Sequence, residues 1–114
     1  MAFADAEIER LKAFCTRVES CVQGAIDYFL LIGLRLPECT PSTVDALLCV
    51  GDRGEGYATR LFFAEVLIPK DNIALNWNHR NVRILERNWH AYSWKVPREM
   101  PLDHILREHL KPLA

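Results

Sequence analysis

Residues 26–36 read IDYFLLIGLRL, and their period decides the fold class. Tyr28, Leu30, Ile32, Leu34 and Leu36 share one parity, while Phe29, Leu31, Gly33 and Arg35 share the other, which predicts a β-strand. Pro37 ends it, because proline has no N–H to offer a ladder. Outward from there, residues 37–43 (PECTPST) read as a loop, and the almost wholly apolar residues 44–50 predict a central strand. GDRGEG (residues 51–56) is a turn leading to a third strand over residues 57–68. There Leu61 and Phe63 share one side, and Arg60, Phe62, Ala64 and Val66 the other. After a turn at residues 69–72, Ile73, Leu75 and Trp77 alternate as a short fourth strand. Val82 and Ile84 alternate again before an irregular WHAYSW segment at residues 89–94.

Helices flank this run. Ile8, Leu11, Cys15, Val18 and Val22 recur at three- and four-residue spacing, predicting an amphipathic helix over residues 5–23 with Asp5 at its start and Gly24 at its exit. Pro101 suits the first turn of a last helix whose buried stripe is Leu102, Ile105, Leu106 and Leu110, and Pro112 stops it. The expected class is α+β: an N-terminal helix, a four-stranded antiparallel meander and a C-terminal helix, in one domain spanning residues 1–114.

Composition narrows the function classes. The chain has 114 residues, half of them apolar and a quarter charged, and its mean hydropathy is −0.04. No apolar run approaches the length of a membrane span, and acids interrupt the first residues where a signal peptide needs an apolar core, so a cytoplasmic protein is expected. None of the four cysteines forms a C-x-x-C pair, and three sit within apolar patterns, which favours buried free thiols over disulfides. Cys39, in the loop between Pro37 and Pro41, is the one expected to be exposed. His104 and His109 lie about 140° apart on a helix and do not share an ion easily. Neither a metal nor another cofactor is expected.

Charge is uneven. Between residues 72 and 98, Arg80, Arg83, Arg87, Lys95 and Arg98 face one acid, Glu86, for a local +4 in a chain of net −1. The same stretch holds all three tryptophans. Such asymmetry marks a face that meets something. A protein interface built on Trp77, Arg80, Arg83, Arg87, Trp89, Tyr92 and Trp94 is the preferred reading. The alternative is nucleic acid, with bases stacked on the tryptophans and phosphates on the arginines; a pI near 6.4 argues against it.

The element order, together with Leu36-Pro37, Asp45-Ala46-Leu47-Leu48, the aromatic run from Gly56 to Phe63, and Trp89-His90-Ala91-Tyr92-Ser93-Trp94 before the last helix, resembles the ubiquitin-conjugating-enzyme (UBC) fold. The likeness is closer to its compact prokaryotic members. Conventional members carry a His-Pro-Asn tripeptide and, several residues beyond, the cysteine that forms the thioester. Here His79-Arg80-Asn81 resembles the tripeptide with its proline replaced, and no cysteine follows Cys49. The resemblance therefore implies a variant that does not carry out standard transthiolation. It would serve a prokaryotic ubiquitin-like conjugation or antiphage defence system by binding a ubiquitin-like protein or an activating enzyme.

Residual chemistry has four candidates. His79 and Asn81 could polarise a carbonyl, although a turn in which Asn81 adopts a left-handed backbone is the plainer reading. His90, paired with Ser93, could act as base or acyl carrier, against a packed aromatic corner. Cys39 could be a reactive thiol, but nothing beside it would lower its pKa. A small acyl-transfer enzyme using Cys39 or His90 is the alternative function.

Overall fold

The computed structural model describes residues 3–70 and 75–113, and β4 (Thr43–Val50) is the axis of its sheet. Almost every residue of this strand is buried, because both of its faces are covered. On one side it pairs antiparallel with β2 (Ile26–Arg35), and β2 pairs with β1 (Arg17–Gln23) at the edge. On the other side β4 pairs with β5 (Thr59–Phe63), which meets β8 (Arg87–Ala91) at Phe63 opposite His90. β7 (His79–Ile84) closes the second edge as a hairpin with β8. The six-stranded order is β1-β2-β4-β5-β8-β7; two-residue strands β3 (Cys39–Thr40) and β6 (Ile68–Pro69) pair separately. Helices α1 (Asp5–Leu11) and α2 (Leu102–Leu110) stand at the two ends of the chain, so the class is α+β.

Both helices cover the same sheet face. Leu11, Leu102, Ile105 and Leu106 pack with Phe29, Leu31, Leu34, Ala46, Leu48, Leu61 and Phe63 in one cluster. At nine residues α2 is too short to stand alone, and its buried aliphatics supply roughly 1.5–3 kcal/mol each. The helices also grip each other: Arg10 Nε meets Asp103 Oδ1 at 3.2 Å, and the Glu7 carboxylate accepts the Leu102 N–H at 3.2 Å, satisfying a free amide at the start of α2. The opposite sheet face carries a smaller cluster of Tyr28, Leu47, Cys49 and Phe62, joined by Ile84, Trp89 and Ala91 of the β7–β8 hairpin.

Several expectations need correction. The helix predicted over residues 5–23 stops at Leu11, and Arg17–Gln23 is a strand. Val18 and Val22 satisfy a helical spacing, but they are β-branched, and β1 is joined to β2 by a two-residue turn in which Gly24 and Ala25 both have positive φ, the turn type that suits a hairpin twist. The strict alternation over residues 26–36 breaks at a bulge between Leu31 and Leu34. Gly33 takes φ +68° there, a Cβ on it would lie 2.8 Å from Thr16 Oγ1, and Leu34 consequently joins Phe29 and Leu31 under the helices. The third strand is shorter than residues 57–68. Of the expected fourth strand, Ile73 lies outside the described residues, and Leu75 and Trp77 are not in a strand. The place beside β5 belongs to β8, in the segment read as irregular, so the expected four-stranded meander is a six-stranded sheet. No helix among the described residues is long and apolar enough to cross a membrane.

Candidate functional site

The GDRGEG turn does more than join two strands. Asp52 Oδ1 accepts the N–H groups of Gly54, Glu55 and Gly56 at 2.7, 3.0 and 3.2 Å, and these donors hold its carboxyl below the usual range. The turn thereby presents Glu55 to three nitrogen-bearing side chains: Arg53 Nη1 at 3.2 Å, His79 Nε2 at 3.3 Å and Arg60 Nη1 at 3.8 Å. Arg60 reaches this point from the second position of β5, where it stands opposite Cys49 and is 2% exposed. Burial pulls its pKa down. Its Nη2 donates to the Tyr92 carbonyl at 3.3 Å and to the Asn78 side-chain oxygen. The Tyr57 ring lies 3.9 Å from the guanidinium carbon, with Lys95 Nζ 5.6 Å from the same ring. The Tyr57 hydroxyl bonds Ser93 Oγ at 2.9 Å and accepts from Asn78 Nδ2 at 3.0 Å; the Ser93 bond comes first among the causes that lower its pKa.

The residues singled out from sequence divide among different environments. His79 belongs to this cluster. Asn81 is exposed with φ +55°, the left-handed backbone expected of it, and its N–H donates to His90 Nδ1 at 3.2 Å. His79 and Asn81 thus engage different partners, and Ser93 bonds Tyr57 where His90 was the expected mate. Cys39 is not exposed: at 7% it lies within β3, with burial and then the Glu38 charge raising its pKa. Burial also raises Cys15 and Cys21, and pushes Cys49 up to about 12.

The aromatic face divides in the same way. Trp89 is wholly buried and donates its indole N–H to the Ile84 carbonyl at 3.0 Å. Tyr92 is buried and donates to the His109 carbonyl. Trp77 packs edge-on against Phe63 and Tyr92, with centroids 5.9 and 5.3 Å away. Trp94 is 40% exposed, its indole N–H given to the Glu108 carbonyl at 2.8 Å. Arg87 is held by Asp45 at 3.3 Å and lies over the Trp89 ring, whereas Arg80 and Arg83 are exposed on the edge strand β7. Arg53, Glu55, Tyr57, Arg60 and Asn78 were not singled out from sequence. The available signal was Arg60, an arginine interrupting the apolar run of a strand with both neighbours buried.

Among the described residues no group of three or more His, Cys, Asp or Glu side chains is placed to hold a metal. No family model matches the chain, and no curated protein and no solved structure was found to match it.

Proposed function

We propose that this chain is a ubiquitin-conjugating-enzyme-like protein without the usual nucleophile, which binds a ubiquitin-like protein or an activating enzyme of a prokaryotic conjugation or defence system. The observation that carries the reading is where sulfur lies. The segment from His79 to Ser93, where a conventional member would present its thiol, folds into the β7–β8 hairpin without a cysteine. The four thiols lie elsewhere in the fold, and each is raised above its ordinary pKa. A thiol with a raised pKa is a poor acyl acceptor at neutral pH. What the hairpin offers instead is the exposed pair Arg80 and Arg83, with Trp94 at the edge of α2: cations and one amphipathic ring suited to a carboxylate-bearing protein surface. Nucleic acid fits less well, because Trp89 is buried and Trp77 packs edge-on against Phe63 and Tyr92, which leaves Trp94 as the exposed ring among the three tryptophans.

The test mixes the protein with a prokaryotic ubiquitin-like protein, its activating enzyme and ATP. A noncovalent complex should form without a thiol-reducible adduct, and Arg80→Glu/Arg83→Glu should weaken it by about tenfold or more. A reducible adduct lost in Cys39→Ser would replace this reading with acyl transfer. Binding unchanged in the double variant would remove the hairpin from the interface.

A further inference from the structure

We propose that the Glu55 cluster is an oxyanion-binding site, in which Arg60, His79 and Lys95 receive a phosphate or carboxylate group in competition with the Glu55 carboxylate. Such a site would stand whether or not the chain serves a conjugation system. Arg53, Arg60 and the His79 imidazole gather around the Glu55 carboxylate at a half-buried place, and Lys95 lies over the Tyr57 ring that also covers Arg60; the other carboxylate of the turn, Asp52, is taken up by three backbone N–H groups. Among the described residues, three buried side-chain nitrogens have no hydrogen-bond partner: Arg60 Nε, Arg60 Nη1 and His79 Nδ1. All three lie here. A buried donor with no acceptor is destabilising, and two of these nitrogens belong to a guanidinium that is only 2% exposed. A guanidinium fork is shaped for a planar or tetrahedral oxyanion. Glu55 answers that demand incompletely, since its nearest oxygen lies 3.8 Å from Nη1, beyond hydrogen-bond reach.

Glu55 has a partly exposed side chain that can leave by rotation alone, because Asp52 holds the backbone of the turn. It sits between Gly54 and Gly56, both at positive φ (+91° and +85°), and a Cβ added at either would meet nothing within 4 Å. The turn therefore has open space around it. Tyr57 covers Arg60; its hydroxyl and that of Ser93 share one hydrogen bond, which leaves one hydroxyl proton free beside Lys95. The Glu55 carboxylate thus acts as an internal occupant that an incoming oxyanion displaces.

The experiment follows the His79 and Tyr57 ring signals by NMR while inorganic phosphate, or separately acetate, is titrated, with chloride as the ionic-strength control. Saturable shifts with phosphate alone identify a phosphate ligand, with acetate alone a carboxylate, and with both the shared chemistry. Glu55→Gln should bind about tenfold tighter, because one competing negative charge is gone. Arg60→Met should abolish saturation, and Lys95→Ala should weaken it about threefold. Shifts no larger than chloride produces in both the native and the Glu55→Gln protein overturn the proposal. So does Glu55→Gln binding no tighter than the native chain, or saturation retained in folded Arg60→Met.

Discussion

Thr59 and Arg60 are neighbours on β5, both buried and both polar, and they point to opposite faces of the sheet. Under the helices, Thr59 Oγ1 donates to the Val96 carbonyl at 2.8 Å and lies 2.8 Å from His109 Nε2. With its one proton given to Val96, the hydroxyl accepts from the imidazole, which fixes a neutral ring carrying its proton on Nε2. Each polar atom of that contact has a partner. On the other face Arg60 keeps two nitrogens idle and faces a carboxylate that three groups share. Satisfied buried polarity holds a structure together; unsatisfied buried polarity is tolerated where something else is served.

That contrast can be broken in three ways. The largest effect is in acid. Burial first, and then the Arg60 charge, push His109 down to about 3, whereas an unfolded histidine titrates near 6.5. Between those values the unfolded chain binds a proton that the folded chain refuses, so stability is lost as pH falls from about 6.5 toward 3. The loss from this group is roughly 3 kcal/mol between pH 7 and pH 4. Chemical melts across that range should show it, and His109→Gln, which keeps an N–H donor but cannot titrate, should lack that component. Equal slopes for both proteins would mean that the ring is not held neutral.

Next comes Thr59→Val, which orphans the His109 N–H and the Val96 carbonyl together and should cost about 1–3 kcal/mol in the same melts. Arg60→Met is the smallest: it removes an under-satisfied buried charge and fills the space with an apolar chain, so stability should stay within about 1 kcal/mol of the native protein or rise. A loss as large as that of Thr59→Val would make Arg60 a structural residue and erase the difference between the two faces.

How much of this was legible depended on whether a signal was local. The central place of β4 and the α2 stripe were readable because pattern and burial agree there; the strand over residues 26–35 was readable as a strand, but the bulge at Gly33 reverses the faces its period assigns. β1 was not: Val18 and Val22 fit two periods at once, and only the pairing of Arg17–Gln23 with β2 decides between them. β8 was hidden because its turn, Leu85 and Glu86, adopts positive φ without glycine or asparagine. For the site, His79 stood out by its motif, whereas Arg53, Glu55, Tyr57 and Asn78 converge only through tertiary contact. Trp89 and Tyr92 carried a surface signature, yet tertiary burial put their rings inside.

The claim that this scaffold lacks a working thiol is tested most directly by the pH-rate profile of alkylation at each cysteine in the native protein. Burial predicts that Cys15, Cys39 and Cys49 react slowly near neutrality and that the half-buried Cys21 leads, with rates still climbing above pH 9. Rapid alkylation of Cys39 with an apparent pKa below about 8 would place a thiolate within reach of chemistry and contradict the account.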